Sequence, residues 1–154
     1  MNATTFGLAV FIGMLLPLQA LINAALGRQT FGPVFAALVS FGVGTLVLLA
    51  WWLAARPVFV PAALAKVPWW GWLGGAIGAL FVATATLLVT RLGAAALICL
   101  VVAGQLAGSV LLDHFGVLHP RQPVDGLRIA GLLLVVAGAL LVVKPWQAAV
   151  GQGG

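Results

Sequence analysis

The chain has 154 residues, of which 64% are hydrophobic and only nine are charged, namely seven Lys or Arg and two Asp. Roughly a quarter of the residues of a soluble domain are charged, so this composition, with a mean hydropathy of +1.23, excludes that class of protein. The net charge of +5 comes from isolated cations and not from a basic stripe, so it does not indicate a nucleic-acid-binding surface.

Five stretches of 15 or more residues contain no Asp, Glu, Lys or Arg. They cover residues 1–27, 29–55, 67–90, 92–112 and 129–143, and the first four exceed the roughly 18 residues that mark a membrane-spanning helix. We therefore predict an all-α integral membrane protein with transmembrane helices at about 5–26, 33–55, 69–90, 92–112 and 126–143. One transmembrane domain is expected over residues 1–145, followed by a disordered tail over 146–154.

The first helix carries two amides on one face. Gln19 and Asn23 are four residues apart, and with the helix centred near residue 15 or 16 they lie about 5 Å and about 11 Å from the bilayer midplane. Pro17 leaves the carbonyl of Gly13 without its helical partner, which predicts a kink beside Gln19. We expect Gly27 to stop this helix. Because polar groups are costly at such depth, both amides are candidate solute-binding residues.

Glycines at helical spacing on the last three predicted helices mark faces for close helix packing. They are Gly71, Gly74, Gly75, Gly78, Gly104, Gly108, Gly131 and Gly138. The spacing does not decide whether each face meets its own chain or a second copy.

The end of the fourth helix and the loop after it hold the remaining polar candidates. Gln105 lies about 4 to 5 Å from the midplane, while Asp113 and His114 are the only groups near the helices that can titrate usefully. No carboxylate lies inside the first four helices. A mechanism in which a buried acid exchanges protons for a cationic drug would therefore lack the acid that it needs. Asp113, His114, His119 and Asp125 match no metal-binding spacing, and a turn at the membrane rim is the simpler interpretation.

Five crossings place the two termini on opposite membrane faces, here called the N-terminal and the C-terminal face. The N-terminal face receives Arg56, Lys66, Arg121 and Arg128, and the C-terminal face receives Arg28, Arg91 and Lys144. Because the excess of loop cations sets orientation, this near-tie predicts insertion in both directions, although a fixed orientation set by one loop fits the count equally well. Coexisting orientations favour an antiparallel homodimer with inverted two-fold symmetry.

Inversion of a second copy aligns the deep amides. Within one chain Gln19 lies on the C-terminal-face side of the midplane and Gln105 on the other side, so inversion brings Gln105 of one copy to the depth of Gln19 of the other. The alternative is that these amides only hydrogen-bond helices together. Inversion also brings Asp113 to the depth of Arg28 and Arg91 of the other copy, so an ion pair across the dimer is one interpretation of Asp113. Capping of a helix end at the membrane rim is the other.

Several strings resemble the YdcZ-like family of small bacterial inner-membrane proteins, in order from the first helix to the fifth. They are PLQALINAALGR at 17–28, SFGVGT at 40–45, RLGAA at 91–95, VVAGQ at 101–105 and DHFG at 113–116. The resemblance implies membership of the drug/metabolite transporter superfamily, a five-helix half-unit, an inverted two-fold arrangement and alternating access. The family motif residues that carry over are Gln19, Asn23, Arg28, Arg91, Gln105, Asp113 and His114.

We therefore predict a secondary transporter, an exporter of a small metabolite or drug-like solute, located in the bacterial inner membrane. No phosphate-binding loop occurs, so this chain does not hydrolyse ATP itself, and the single Cys99 excludes a thiolate metal cluster within one chain. Gln19, Asn23 and Gln105 would bind the solute, with Arg28, Arg91, Asp113 and His114 at the rim or in coupling. No cofactor, metal or nucleic acid is expected, and a structural protein that stabilises a membrane complex is the alternative to transport.

Overall fold

The fold of the described residues is entirely helical. A computed structural model of the chain describes residues 3–56, 58–118 and 120–144, and the predicted tail lies outside them. The helices are α1 (Ala3–Gln29), α2 (Pro33–Ala55), α3 (Pro61–Leu64), α4 (Leu73–Leu92), α5 (Ala94–Phe115) and α6 (Gly126–Val143), with a 3-10 turn at Trp69–Trp72 before α4. In these residues, five helices are long and apolar enough to cross a membrane: α1, α2, α4 with its preceding turn, α5 and α6. The predicted all-α class with five spans is confirmed.

The chain divides into two compact units, Met1–Arg91 and Leu92–Gly154. In the first unit α1 and α2 pack against each other as a hairpin. Small residues are buried in both helices, namely Ala20 and Ala24 of α1 and Ala36 and Ala37 of α2. In the second unit α5 and α6 form another hairpin. Alanine at a helix contact lets two backbones approach closely, which is how helices associate where lipid removes the hydrophobic driving force. A single domain over 1–145 stays a prediction.

Most large apolar side chains lie on the surface. Between 6% and 17% of the residues in the most apolar window of each spanning helix are buried within the chain. In water such a surface would aggregate, so lipid or another protein chain must cover it.

The turn between α1 and α2 differs from the prediction that Gly27 ends the first helix. Helix α1 continues to Gln29, and the residue with a positive φ is Gly32, at 96°. The Gly32 N–H donates to the carbonyl of Gly27 at 3.1 Å, which closes the turn, and Pro33 occupies the first turn of α2 as predicted. Gly27 is thus a helical residue that allows the start of α2 to pass close by.

Alanine at Gly27 is expected to destabilise the α1–α2 hairpin. An added Cβ would lie 3.2 Å from the carbonyl carbon and 3.3 Å from the carbonyl oxygen of Gly32, and this backbone must move to admit it. Overpacking of this kind costs about 1 to 3 kcal/mol, so the melting temperature of G27A in detergent should fall by several degrees. Gly7→Ala is the matched control, because nothing lies within 4 Å of its added Cβ in the described residues. Equal melting temperatures for the two variants would contradict the close approach.

The predicted glycine faces are mostly uncovered in the described part of one chain. An added Cβ at Gly78 would meet Phe41 of α2 at 3.3 Å, and one at Gly71 would meet Val67 at 2.9 Å. The other six have nothing within 4 Å among the described residues: Gly74, Gly75, Gly104, Gly108, Gly131 and Gly138. Their role in packing stays a prediction.

Candidate solute-binding groove

A groove of about 350 Å³ lies between α1 and α2 in the first unit. Three polar side chains, Gln19, Asn23 and Ser40, line it, and its other walls are Leu, Ile and Val. Gln19 and Asn23 share the groove because they are one helical turn apart on α1, as their spacing predicted. The groove therefore combines apolar walls with a few hydrogen-bonding groups, which is the composition of small-molecule sites.

Asn23 connects the two helices of the hairpin. Only 5% of its surface is exposed, and its Nδ2 donates to the Ser40 Oγ at 3.4 Å. This distance is long for a hydrogen bond, so the contact is weak, but it joins α1 to α2 at the groove. The alternative interpretation of the deep amides, that they hold helices together, thus has a direct contact in its favour at Asn23. Ser40 was not among the predicted site residues.

Gln19 is different, because its side chain is exposed and makes no hydrogen bond within the described residues. An amide left without partners in hydrocarbon costs several kcal/mol. At the depth of Gln19 the missing partners must come from water, a solute or another chain. Gln19 is therefore a side chain of the groove that is available to a ligand.

Gln105 lies on α5 in the second unit, where its side chain is also exposed and unbonded within the described residues. Gln19 belongs to the first unit. Each amide has the exposure that a binding role requires, and their meeting in one site stays a prediction.

The α5–α6 loop begins at a helix end closed by backbone hydrogen bonds. Gly116, with φ of 67°, donates its N–H to the Asp113 carbonyl, and the Val117 N–H donates to the Leu112 carbonyl at 3.0 Å. This pair of bonds is the Schellman arrangement and satisfies carbonyls at the end of α5. The Gln122 N–H also donates to the Asp113 carbonyl, at 2.8 Å.

Arg128 organises the side chains of this loop. Its Nη1 lies 3.5 Å from the Asp113 Oδ2, its Nη2 donates to the Gln122 Oε1 at 2.7 Å, and its backbone N–H donates to the Asp125 Oδ1 at 2.8 Å. Asp113 thus has an ion-pair partner in its own unit, which favours the rim role over a pair across a dimer. Because both side chains are about one-third exposed, at 37% and 33%, the pair contributes at most about 1 kcal/mol.

His114 also has structural partners in the loop. Its Nδ1 accepts from the Val124 N–H at 3.5 Å, and its carbonyl accepts from the Arg121 Nε at 2.8 Å. Within residues 3–56, 58–118 and 120–144 no three His, Cys, Asp or Glu side chains are grouped as metal ligands, and His119 lies outside those ranges.

Asp125 caps the N-terminus of α6, and its removal should loosen that helix. Its Oδ1 accepts from the Arg128 N–H three residues on, which satisfies one of the free donors of the first turn. Asp125→Ala is expected to cost about 1 kcal/mol and to speed amide hydrogen exchange at the start of α6. Asp125→Asn keeps the accepting oxygen and should exchange like the unchanged protein. If D125N and D125A exchange alike, the cap does not hold the helix.

Arg28 and Arg91, the other predicted rim residues, lie in the last turns of α1 and α4, where a cation is favoured by the helix dipole. Both are exposed and neither forms an ion pair within the described residues.

The sequence matches, over residues 4–141, the family described as "Putative inner membrane exporter, YdcZ". The chain belongs to this family. It is also similar to the inner membrane protein YdcZ of Escherichia coli K12, with 37% identity over 84 residues, which are 53% of this chain and 54% of that relative. The match thus spans about half the length of the curated relative. No solved structure matches the chain.

Membership of this family, together with five apolar helices, makes the chain a multi-pass protein of the bacterial inner membrane. The family description names export, so it supports a membrane transporter and not an enzyme.

Proposed function

We propose that this protein is a secondary exporter that moves a small, uncharged solute by alternating access in an antiparallel homodimer. The observation that carries the proposal is Gln19, an exposed amide in a membrane-spanning helix that lines the α1–α2 groove and makes no hydrogen bond within the described residues. A solute that enters the groove supplies the hydrogen-bonding partner that hydrocarbon lacks.

The lining of the groove favours a neutral solute. Amide and hydroxyl groups are its polar members, and no charged side chain lines it. A charged solute would enter without a counter-ion at a depth where an unpaired charge is expensive. The volume of about 350 Å³ lies near the lower end of the range for small-molecule sites.

The antiparallel dimer is supported by the balance of cations and by the two uncovered amides. Four cations on one face against three on the other give little preference for either orientation. Inversion of one copy brings Gln105 to the depth of Gln19 in the other copy, so each half of the dimer would complete a polar cluster. Two such clusters related by symmetry would allow the cavity to open to each face in turn.

Flux through reconstituted liposomes tests this function. Uncharged small solutes, offered as an osmotically active or radiolabelled series, should cross protein-containing liposomes faster than empty ones. The flux should not need ATP. Absence of protein-dependent flux for the whole series, with charged solutes crossing instead, would contradict a neutral substrate class.

The alternative function, stabilisation of another membrane protein, is supported by the uncovered glycines of α4 and α5. Gly74, Gly75, Gly104 and Gly108 leave space that a foreign helix can occupy. Copurification of one constant membrane partner without solute flux would favour this function over transport.

A further inference from the structure

A second cavity, of about 150 Å³, lies in the first unit where α1 ends and α2 begins. Arg28 of α1, Pro33 of α2 and the last turns of α4, through Thr86 and Thr90, line it. It belongs to the C-terminal face and is distinct from the α1–α2 groove, which has none of these residues in its lining. Its volume fits one small polar group and not a large solute.

The first unit has no negative side chain to balance this cavity. Residues 1–112 contain no Asp or Glu, yet they contain Arg28, Arg56, Lys66 and Arg91. Arg28 is exposed and forms no ion pair within the described residues, although its guanidinium carries donors suited to two oxygens of one anion. An anion would therefore balance the positive charge at the cavity.

Three helix ends lie at the cavity: α2 begins there, which favours an anion, whereas α1 and α4 end there, which does not. The carbonyls of Leu26 and Gly27 at the end of α1 would repel one, but the first accepts from the Thr30 Oγ1 at 2.7 Å and the second from the Gly32 N–H at 3.1 Å. Helix α2 starts at Pro33, so the positive end of its dipole is at the cavity.

Two threonine hydroxyls complete the lining. The Thr86 Oγ1 donates to the Val82 carbonyl at 2.8 Å and is buried, with 2% of the residue exposed. The Thr90 Oγ1 donates to the Leu87 carbonyl at 2.7 Å but is exposed, so it can rotate toward a ligand.

We propose that this cavity binds a single phosphate group held by Arg28 and Thr90. The group belongs either to the headgroup of an anionic phospholipid or to free phosphate, since both present the same oxygens to the guanidinium. This inference does not rest on the proposed transport of a neutral solute, because the two cavities have separate linings.

The test compares three variants of the full chain with the unchanged protein in detergent. Native mass spectrometry would count retained phosphatidylglycerol against diacylglycerol, which has no phosphate, and thermal unfolding would be followed in inorganic phosphate against chloride at equal ionic strength. Arg28→Gln should weaken binding about tenfold and Thr90→Val several-fold, since each loses a charge-assisted or direct hydrogen bond. Arg56→Gln is the matched control, because Arg56 is also an exposed helix-end arginine without an acid in its unit.

Selective retention of phosphatidylglycerol identifies the lipid headgroup, and stabilisation by inorganic phosphate alone identifies free phosphate. Either result supports the proposal when R28Q and T90V lose it and R56Q keeps it. Equal losses in R28Q and R56Q, or no preference for either phosphate probe in the unchanged protein, would overturn it. Arg28 would then serve only the end of α1.

Discussion

Gln19→Ala is expected to lower solute flux in proteoliposomes about tenfold while leaving the protein folded. The substitution removes the exposed amide of the α1–α2 groove, whose hydrogen bonds to a solute in a low-dielectric site are worth one to two kcal/mol, or roughly five- to thirty-fold in rate. Gln105→Ala should produce a loss of similar size, because inversion places its amide at the same depth in the other copy. The measurement is initial flux normalised to the amount of folded protein.

Gln29→Ala is the matched control for this experiment, since it makes the same substitution at the rim end of the same helix. Its flux should equal that of the unchanged protein. If Q19A and Q29A transport equally fast, Gln19 does not bind the solute. If Q19A loses flux and Q105A keeps it, the groove binds the solute but Gln105 is not part of the site.

Added lysines that fix the protein in one orientation should abolish transport. Coexpression of two variants fixed in opposite orientations should restore it. Gln29→Lys with Thr30→Lys raises the count on the C-terminal face from three to five against four, and Ala62→Lys with Ala65→Lys raises the N-terminal face from four to six against three. Because the face with more cations stays cytoplasmic, the two double variants should insert in opposite directions. Each alone forms no antiparallel dimer, and flux should fall more than about tenfold.

Coexpression of the two double variants is the control, because it supplies both orientations again. We expect it to restore most of the flux, since none of the four exposed positions lines the groove. Full transport by either double variant alone would show that one orientation suffices.

The sequence predicted the spanning helices well because the absence of charge over long stretches is a direct signal of membrane insertion. It predicted the helix ends less well, since these depend on local bonds. Helix α5 runs to Phe115, beyond the predicted end near 112, because Gly116 closes it with a left-handed residue. Residues Trp69–Trp72 form a 3-10 turn before α4 instead of its first turn.

For the site, the shared face of Gln19 and Asn23 follows from their spacing, but the contact between Asn23 and Ser40 does not. That contact depends on how far α2 slides along α1, which the close approach at Gly27 and the turn at Gly32 determine. Ser40 does have a sequence signal, because it is one of two polar side chains in the apolar α2, the other being Thr45. The pairing of Asp113 with Arg128 likewise depends on the path of the α5–α6 loop.

We propose that this protein inserts in both orientations and functions as an inverted pair. A single cysteine on the α1–α2 turn measures this most directly: Thr30→Cys in a Cys99→Ala background, treated in intact inverted or right-side-out vesicles with a membrane-impermeant maleimide. We expect about half of the molecules to react before lysis in either kind of vesicle and the remainder after it. Reaction of all molecules in one kind of vesicle and none in the other would contradict the inverted dimer.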